Sequence, residues 1–194
     1  TLESPRFSDL AADRGLDFHM QNDHRYLAGQ TCESHECAGP KTLKFQTMRH
    51  AYAGCSAGDI DGDGDDDLLL CSGGQLAVYK NDGQGGFVEA TQEVGLAGLF
   101  HVNTGGFADF DNDGDQDLFL GSFYGLNRLY ANDGAGQFTE VTAASGLARD
   151  DSTTCFSCFD ADGDGDLDLY VGRFLDAEHE IPDSFLYARN GQPN

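Results

Sequence analysis

Apolar residues in this chain come in short bursts, each set off by glycine or by acid. The clearest are "LLL" at 68–70, "LFL" at 118–120 and "LYV" at 169–171, and each follows directly on an aspartate. Bursts of this length, bounded by Gly, Asn and Asp and rich in Val, Leu, Tyr and Phe, predict short β-strands rather than helices. No stretch carries a 3.6-residue apolar period beyond short turns such as Val141–Ser145. The chain reads as all-β.

The bursts recur with a fixed period. "GDIDGDGDDDLLL" (58–70), "ADFDNDGDQDLFL" (108–120) and "FDADGDGDLDLYV" (159–171) are three copies whose first aspartates are 50 and 51 residues apart. Companion segments keep step: "VYKNDGQGGFVEATQEVGL" (78–96) matches "LYANDGAGQFTEVTAASGL" (129–147), and a shorter "LYARNGQPN" stands at 186–194. In each repeat one strand precedes the acidic loop and a second follows it. A third ends in Asn-Asp-Gly, a hairpin signal, and a fourth begins at Phe87 or Phe138. Four short antiparallel strands per ~50 residues are the unit of a β-propeller blade. The expected organisation is a displaced outer strand at 1–16, an insertion at 17–48, and repeats at 49–98, 99–148 and 149–194, the last shorter than the others. "RFSDLAADRGL" (6–16) aligns with "GFVEATQEVGL" (86–96), which suggests an outer strand separated from its blade.

Composition adds to this picture at three points. Gly makes up 26 of 194 residues against only 4 Pro, about twice the usual ~7% for Gly, as many tight turns require. Acidic residues outnumber basic ones 34 to 11, for a net charge of -23. That balance argues against nucleic acid and anionic membranes as partners. No apolar run approaches the ~20 residues of a membrane span, so membrane insertion is not expected. Six Cys in an acidic, Gly-rich chain that starts at Thr1 suggest a mature exported protein, secreted or periplasmic.

The aspartates are not spread evenly. Counting each loop from its first Asp, positions 1, 3, 5, 7 and 9 are Asp59, Asp61, Asp63, Asp65 and Asp67; Asp109, Asp111, Asp113, Asp115 and Asp117; and Asp160, Asp162, Asp164, Asp166 and Asp168. At 4 Å and an effective dielectric of about 20, one carboxylate pair repels by roughly 4 kcal/mol, so such loops call for a cation. Hard oxygen donors at alternating positions, with position 7 giving its backbone carbonyl, suit Ca²⁺. Position 6 is always Gly (Gly64, Gly114, Gly165), where a loop curling around an ion needs a backbone that Gly adopts cheaply. An EF-hand would need Glu at position 12, but Leu70, Leu120 and Val171 stand there. Three Ca²⁺ sites are expected, one per loop. The competing reading is a solvated acidic hairpin, and three copies in register argue against it.

The D-x-D-x-D-G-x-x-D-L loop followed by "LY-x-N-D-G-x-G-x-F" resembles the FG-GAP/VCBS repeats of integrin-like β-propellers. "GLDF" at 15–18, leading through an insertion to the first loop, looks like the ASPIC/UnbV branch of cartilage acidic-type proteins. The resemblance implies a secreted or periplasmic calcium-binding propeller used in adhesion, scaffolding or recognition. The chain departs from that family in having barely three repeats, where propellers have about 4–8 blades.

If Asp59 opposes Asp67 across the hairpin, Cys55 opposes Cys71, and the two are expected to form a disulfide. Cys32–Cys37 is a candidate local bridge, which leaves Cys155 and Cys158 paired together or tied to the insertion. "CESHEC" at 32–37, with His35 inside it and His19 and His24 nearby, offers a transition-metal alternative; the histidines read better as surface polar groups. No G-x-S-x-G, H-E-x-x-H or phosphate loop is present, so no enzyme is expected. Two functional classes remain. One is a structural, adhesive or assembly protein that self-associates, with the N-terminal strand of one subunit completing the last blade of the next into a ring or filament. The other is a module, or part of a longer propeller, that recognises another extracellular protein or a glycan.

Overall fold

The computed structural model describes residues 10–16, 18, 53–72, 75–147, 150–173 and 183–187. Cys32, Cys37, His19, His24 and His35 lie outside the described residues, as does nearly all of the 17–48 insertion. Eleven strands are described, and every pairing is antiparallel. The first blade is a four-stranded meander of β1 (Ala53–Gly58), β2 (Asp67–Ser72), β3 (Gln75–Asn81) and β4 (Phe87–Glu89). The second repeats it as β5 (Val102–Ala108), β6 (Asp117–Leu126), β7 (Arg128–Asn132) and β8 (Phe138–Glu140). The third comprises β9 (Asp150–Phe159), β10 (Asp168–Arg173) and β11 (Asp183–Tyr187). The fold is all-β with propeller-like blades, as the repeat predicts. One described α-helix, α1 (Thr142–Ser145), is a single turn after β8, and no described helix is long and apolar enough to cross a membrane.

The strand that follows each acidic loop shows how the blades stack. Side chains alternate between the two faces of a sheet. In β6 both faces are covered: Leu118 and Leu120 join a core with Leu69, Cys71 and Val78 of the first blade, while Phe119 joins Leu169 and Val171 of the third. Both outer blades have one well-covered face. Leu69 and Cys71 of β2 are buried whereas Leu68 and Leu70 are half-buried, and in β10 Leu169 and Val171 are buried whereas Tyr170 is exposed. Among the described residues, it is the middle blade whose apolar burst meets protein on both faces.

The blades are joined in two different ways. Beyond its own hairpin, β6 continues far enough to pair with β9 (Phe123 with Ser152, Leu126 with Asp150), so the second and third blades share one continuous sheet. The first blade is a separate sheet, held to the second by side-chain burial and a few loop bonds. Among these, the Phe138 amide donates to the Val94 carbonyl at 3.2 Å. A 3-10 turn at Ala12–Arg14, closed by Gly15 at φ +83°, meets the first blade at the equivalent place. A Cβ on Gly15 would abut the Phe87 carbonyl, as one on Gly95 would approach that of Phe138. The described part of the 6–16 segment thus sits where the end of a preceding repeat would sit.

The register corrects the expected disulfide. Gly58, not Asp59, opposes Asp67, so Cys55 faces Leu70 and Cys71 faces Gly54. Ending β1 one residue earlier places the two sulfurs on opposite faces of the sheet: Cys55 is exposed and Cys71 is buried against the second blade, and both are free thiols. Cys155 and Cys158 are free as well. Three residues apart on one strand, they point to opposite faces, and they pair with Gly172 and Leu169 respectively.

Candidate metal centre

Each acidic loop is an eight-residue excursion between two paired strands, and hydrogen bonds inside the loop shape it. In the first, Asp59 accepts from the Gly62, Asp63 and Gly64 amides at 2.8, 3.2 and 2.9 Å, which bends the chain around its carboxylate. Asp160 accepts in the same way from Gly163 and Gly165 at 2.7 and 3.0 Å, and Asp109 from Gly114 at 3.1 Å. The bend needs left-handed backbone at two positions. Position 6 has φ of +92°, +98° and +91° at Gly64, Gly114 and Gly165, as expected from the sequence. Position 4 is left-handed too, at Gly62, Asn112 and Gly163. Its Gly/Asn/Gly usage is the sequence signal for this.

Position 9 locks the base of the hairpin. Asp67, Asp117 and Asp168 are buried, at 1%, 3% and 3% exposure. Asp117 accepts from the Phe110 amide at 3.0 Å and, through its other oxygen, from the Asn132 amide at 3.0 Å. Asp67 does the same with Ile60 and Asn81 at 3.1 and 2.8 Å, and Asp168 accepts from Ala161 at 2.9 Å. Burial pushes the Asp67 and Asp117 carboxyls above the usual carboxylate range. The amide donors oppose this shift, while Asp61 and Asp63, or Asp111 and Asp113, add to it.

Within each loop the structure gathers positions 1, 3 and 9. Donor oxygens of Asp59, Asp61 and Asp67, of Asp109, Asp111 and Asp117, and of Asp160, Asp162 and Asp168 lie within 4.8 Å of one another. Positions 5 and 7 are not in these triads. The position-5 carboxylates Asp63, Asp113 and Asp164 accept from the amides of Asp65, Asp115 and Asp166 at 2.9, 3.0 and 2.9 Å. At position 7, Asp65 and Asp115 lie over the glycines Gly83 and Gly134 of the Asn-Asp-Gly turns, while Asp166 accepts from the Asn112 side chain across the blade boundary at 2.6 Å.

Two observations fit these triads to a hard divalent cation. Oδ1 of Asp61 and Oδ1 of Asp109 are buried and have no hydrogen-bond partner, an expensive arrangement for a carboxylate unless a cation completes it. All nine converging donors are carboxylate oxygens, the chemistry of Ca²⁺ rather than of softer ions. The ion would supply charge neutralisation and a fixed loop shape.

Residues beyond the loops also contribute. Asn132, which the sequence marks only as a turn residue, donates from its side chain to the Ile60 carbonyl of the first loop at 2.8 Å and to the Gln116 carbonyl at 3.1 Å. It therefore ties the middle blade to the neighbouring site. Lys80 stands beside the first triad, 3.2 Å from Oδ2 of Asp61 and 3.0 Å from Oε1 of Glu93. Burial draws its pKa down, but hydrogen bonds to Glu93 and Asp61 outweigh this and hold it above the ordinary value.

Antiparallel blades stacked face to face, each with an acidic loop at the same strand junction, define a propeller-type repeat protein with one carboxylate triad per repeat that could hold a metal ion. Profile comparison agrees: the FG-GAP-like repeat matches residues 59–120 and again 109–171, which together span more than half of the chain. The chain belongs to the FG-GAP-like repeat family. Among curated proteins none matches it. Among solved structures it is similar to one described as the basis of specific recognition of non-reducing terminal N-acetylglucosamine by an Agrocybe aegerita lectin, at 18% identity and a TM-score of 0.37. That match covers 72% of this chain, which spans 38% of the length of the solved one.

Proposed function

We propose that this chain is a calcium-stabilised extracellular repeat module with a structural, adhesive or assembly role. The observation that carries the reading is the convergence of three carboxylates in each of three equivalent loops, with buried, unpartnered oxygens on Asp61 and Asp109. Three bound Ca²⁺ would offset six charges of the formal net -23. Extracellular calcium suits such loops, whose affinity is expected in the range of about 10⁻⁴–10⁻³ M or tighter. "GLDF" at 15–18 supports placing the chain in the ASPIC/UnbV branch of the family. The role in assembly rests on blade-to-blade contact: the turn at Ala12–Arg14 meets the first blade as the end of a preceding repeat would, so a further blade, from a second copy, extends the stack in that direction.

Calorimetric titration of the chelated protein with Ca²⁺, and separately with Mg²⁺, tests the first part. Three Ca²⁺ per chain with weak or no Mg²⁺ binding is the expected result, and no calcium heat would overturn it. Sedimentation across a concentration series tests the second part. Association should require calcium, whereas a monomer at every concentration in saturating Ca²⁺ would remove the assembly role and leave the calcium reading intact.

A further inference from the structure

The three loops are alike in sequence but not in what surrounds them. Among the described residues, only the first has an ammonium beside its triad. Lys80 lies on β3, the strand that closes the hairpin, with Nζ 3.2 Å from Oδ2 of Asp61 and 3.0 Å from Oε1 of Glu93. The second repeat has Ala131 at the matching position, and alignment of "LYARNG" places Ala188 there in the third. The ammonium is held in place from two sides. Its side chain is only 20% exposed, and Gly136 of the next blade lies so close that a Cβ there would sit 3.4 Å from both Lys80 Nζ and Asp61 Cβ. Asp61 thus uses one oxygen for Lys80 while the other, Oδ1, stays buried and unpartnered.

We infer that Lys80 is a tethered counter-ion of the first site, which makes that site the weakest of the three and keeps its loop folded when calcium is absent. The inference rests on the calcium reading above. A fixed positive charge beside a triad has two opposed effects on a divalent ion. It orients Asp61, which favours binding, and it repels the ion through space, which disfavours it. Orientation of one side chain is a small gain because Asp61 is already restricted by burial, at 22% exposure, and by the close approach of Gly136. Repulsion acts on a doubly charged ion at close range in a partly buried seam, where screening is poor, so repulsion prevails. Without calcium the sign reverses. The ammonium then neutralises part of a cluster whose carboxylates otherwise repel one another, and this stabilises the apo loop and its seam with the second blade. The chain therefore carries two sites that fill first and one that fills last, at the boundary between the separately sheeted first blade and the other two.

The test is Ca²⁺ titration of the full chain and of Lys80→Ala and Lys80→Met, followed by thermal melts of each in excess chelator and in saturating calcium. In the parent protein two tight sites and one weaker site are expected. Both variants should raise the weak constant about tenfold and leave the others in place. They should also melt lower than the parent in chelator yet no lower in calcium. A purely structural ion pair would lower both melts alike and leave the binding constants unchanged, and that result would overturn the inference while the calcium reading stood. Weaker binding at the first site in Lys80→Ala would also overturn it, by showing that orientation prevails. Absence of calcium binding to the parent would overturn both readings together.

Discussion

At the scale of single residues, identical chemistry acquires different roles from its place in the strand. Cys55 and Cys71 are both thiols, yet one faces outward and the other lies under the second blade. Burial, with Cys55 adding to it, raises the Cys71 pKa to about 12, and burial raises that of Cys158 to about 11. A buried protonated thiol is inert towards alkylation. Iodoacetamide at neutral pH should therefore modify the exposed Cys55 and Cys155 on the native protein, and Cys71 only after unfolding. Peptide mapping by mass spectrometry reads this directly, and a Cys55–Cys71 cross-linked peptide would contradict the register. The sequence could not decide the point because the faces depend on whether Asp59 belongs to the strand or to the loop. A single residue of register inverts the answer.

At the scale of one element, the aspartates of each acidic hairpin are not equivalent, and position 9 both joins the triad and holds the loop. Asp117 holds the loop: both of its oxygens accept from buried or part-buried amides. Asp113 is exposed and, among the described residues, accepts from Asp115 alone. Asp117→Ala leaves two amide donors unmatched, at about 1–3 kcal/mol each, so a loss of about 2–6 kcal/mol in chelator is expected. Asp113→Ala should stay within about 0.5 kcal/mol of the parent under the same conditions. Urea unfolding of the two variants side by side measures the contrast, and equal losses would show that position 9 is not the lock. The alternating aspartates and the position-6 glycine made these loops legible in the sequence, because local chain geometry and ion chemistry both act through residue spacing. What spacing does not reveal is contact across blades. Asn132 reaching Ile60, and Lys80 lying under Gly136, depend on how two repeats stack, so nothing within one repeat announces them.

For the whole molecule, charge and pH are coupled through the buried position-9 carboxylates. Burial raises the pKa values of two of them, Asp67 and Asp117, in the folded chain. The native state therefore binds these protons more tightly than the unfolded chain does, and the associated stability is present below the ordinary carboxylate range and lost as pH rises through the raised folded values. In chelator this contribution should fall from acid towards neutral pH. With calcium bound the sign inverts, because the ion requires the ionised carboxylates and its own contribution grows with pH. Melting temperatures in the two media should draw apart as pH is raised to 7, with chelation lowering the neutral value markedly. Asp82 and Asp133, held below the usual range by backbone amides of their own turns, contribute equally in both media and cancel in the difference. Parallel curves would dissociate the loops from ion binding.

The long strand β6 has one more consequence, for the order in which the molecule opens. It pairs with β5 and β7 within its blade and with β9 beyond it, and its Leu118, Phe119 and Leu120 are buried on both faces. No strand of the first blade pairs with the second among the described residues. Local opening follows such boundaries, so the chain should behave as two cooperative units rather than three. Amide deuterium uptake should be slowest at Leu118–Gly121 and should spread across β9 and β10 together, while β1–β4 exchange earlier as a group. Calcium should slow that early group most at its inner hairpin. Sequence duplication thus builds three similar repeats, and one overlong strand turns them into a pair and a separate third.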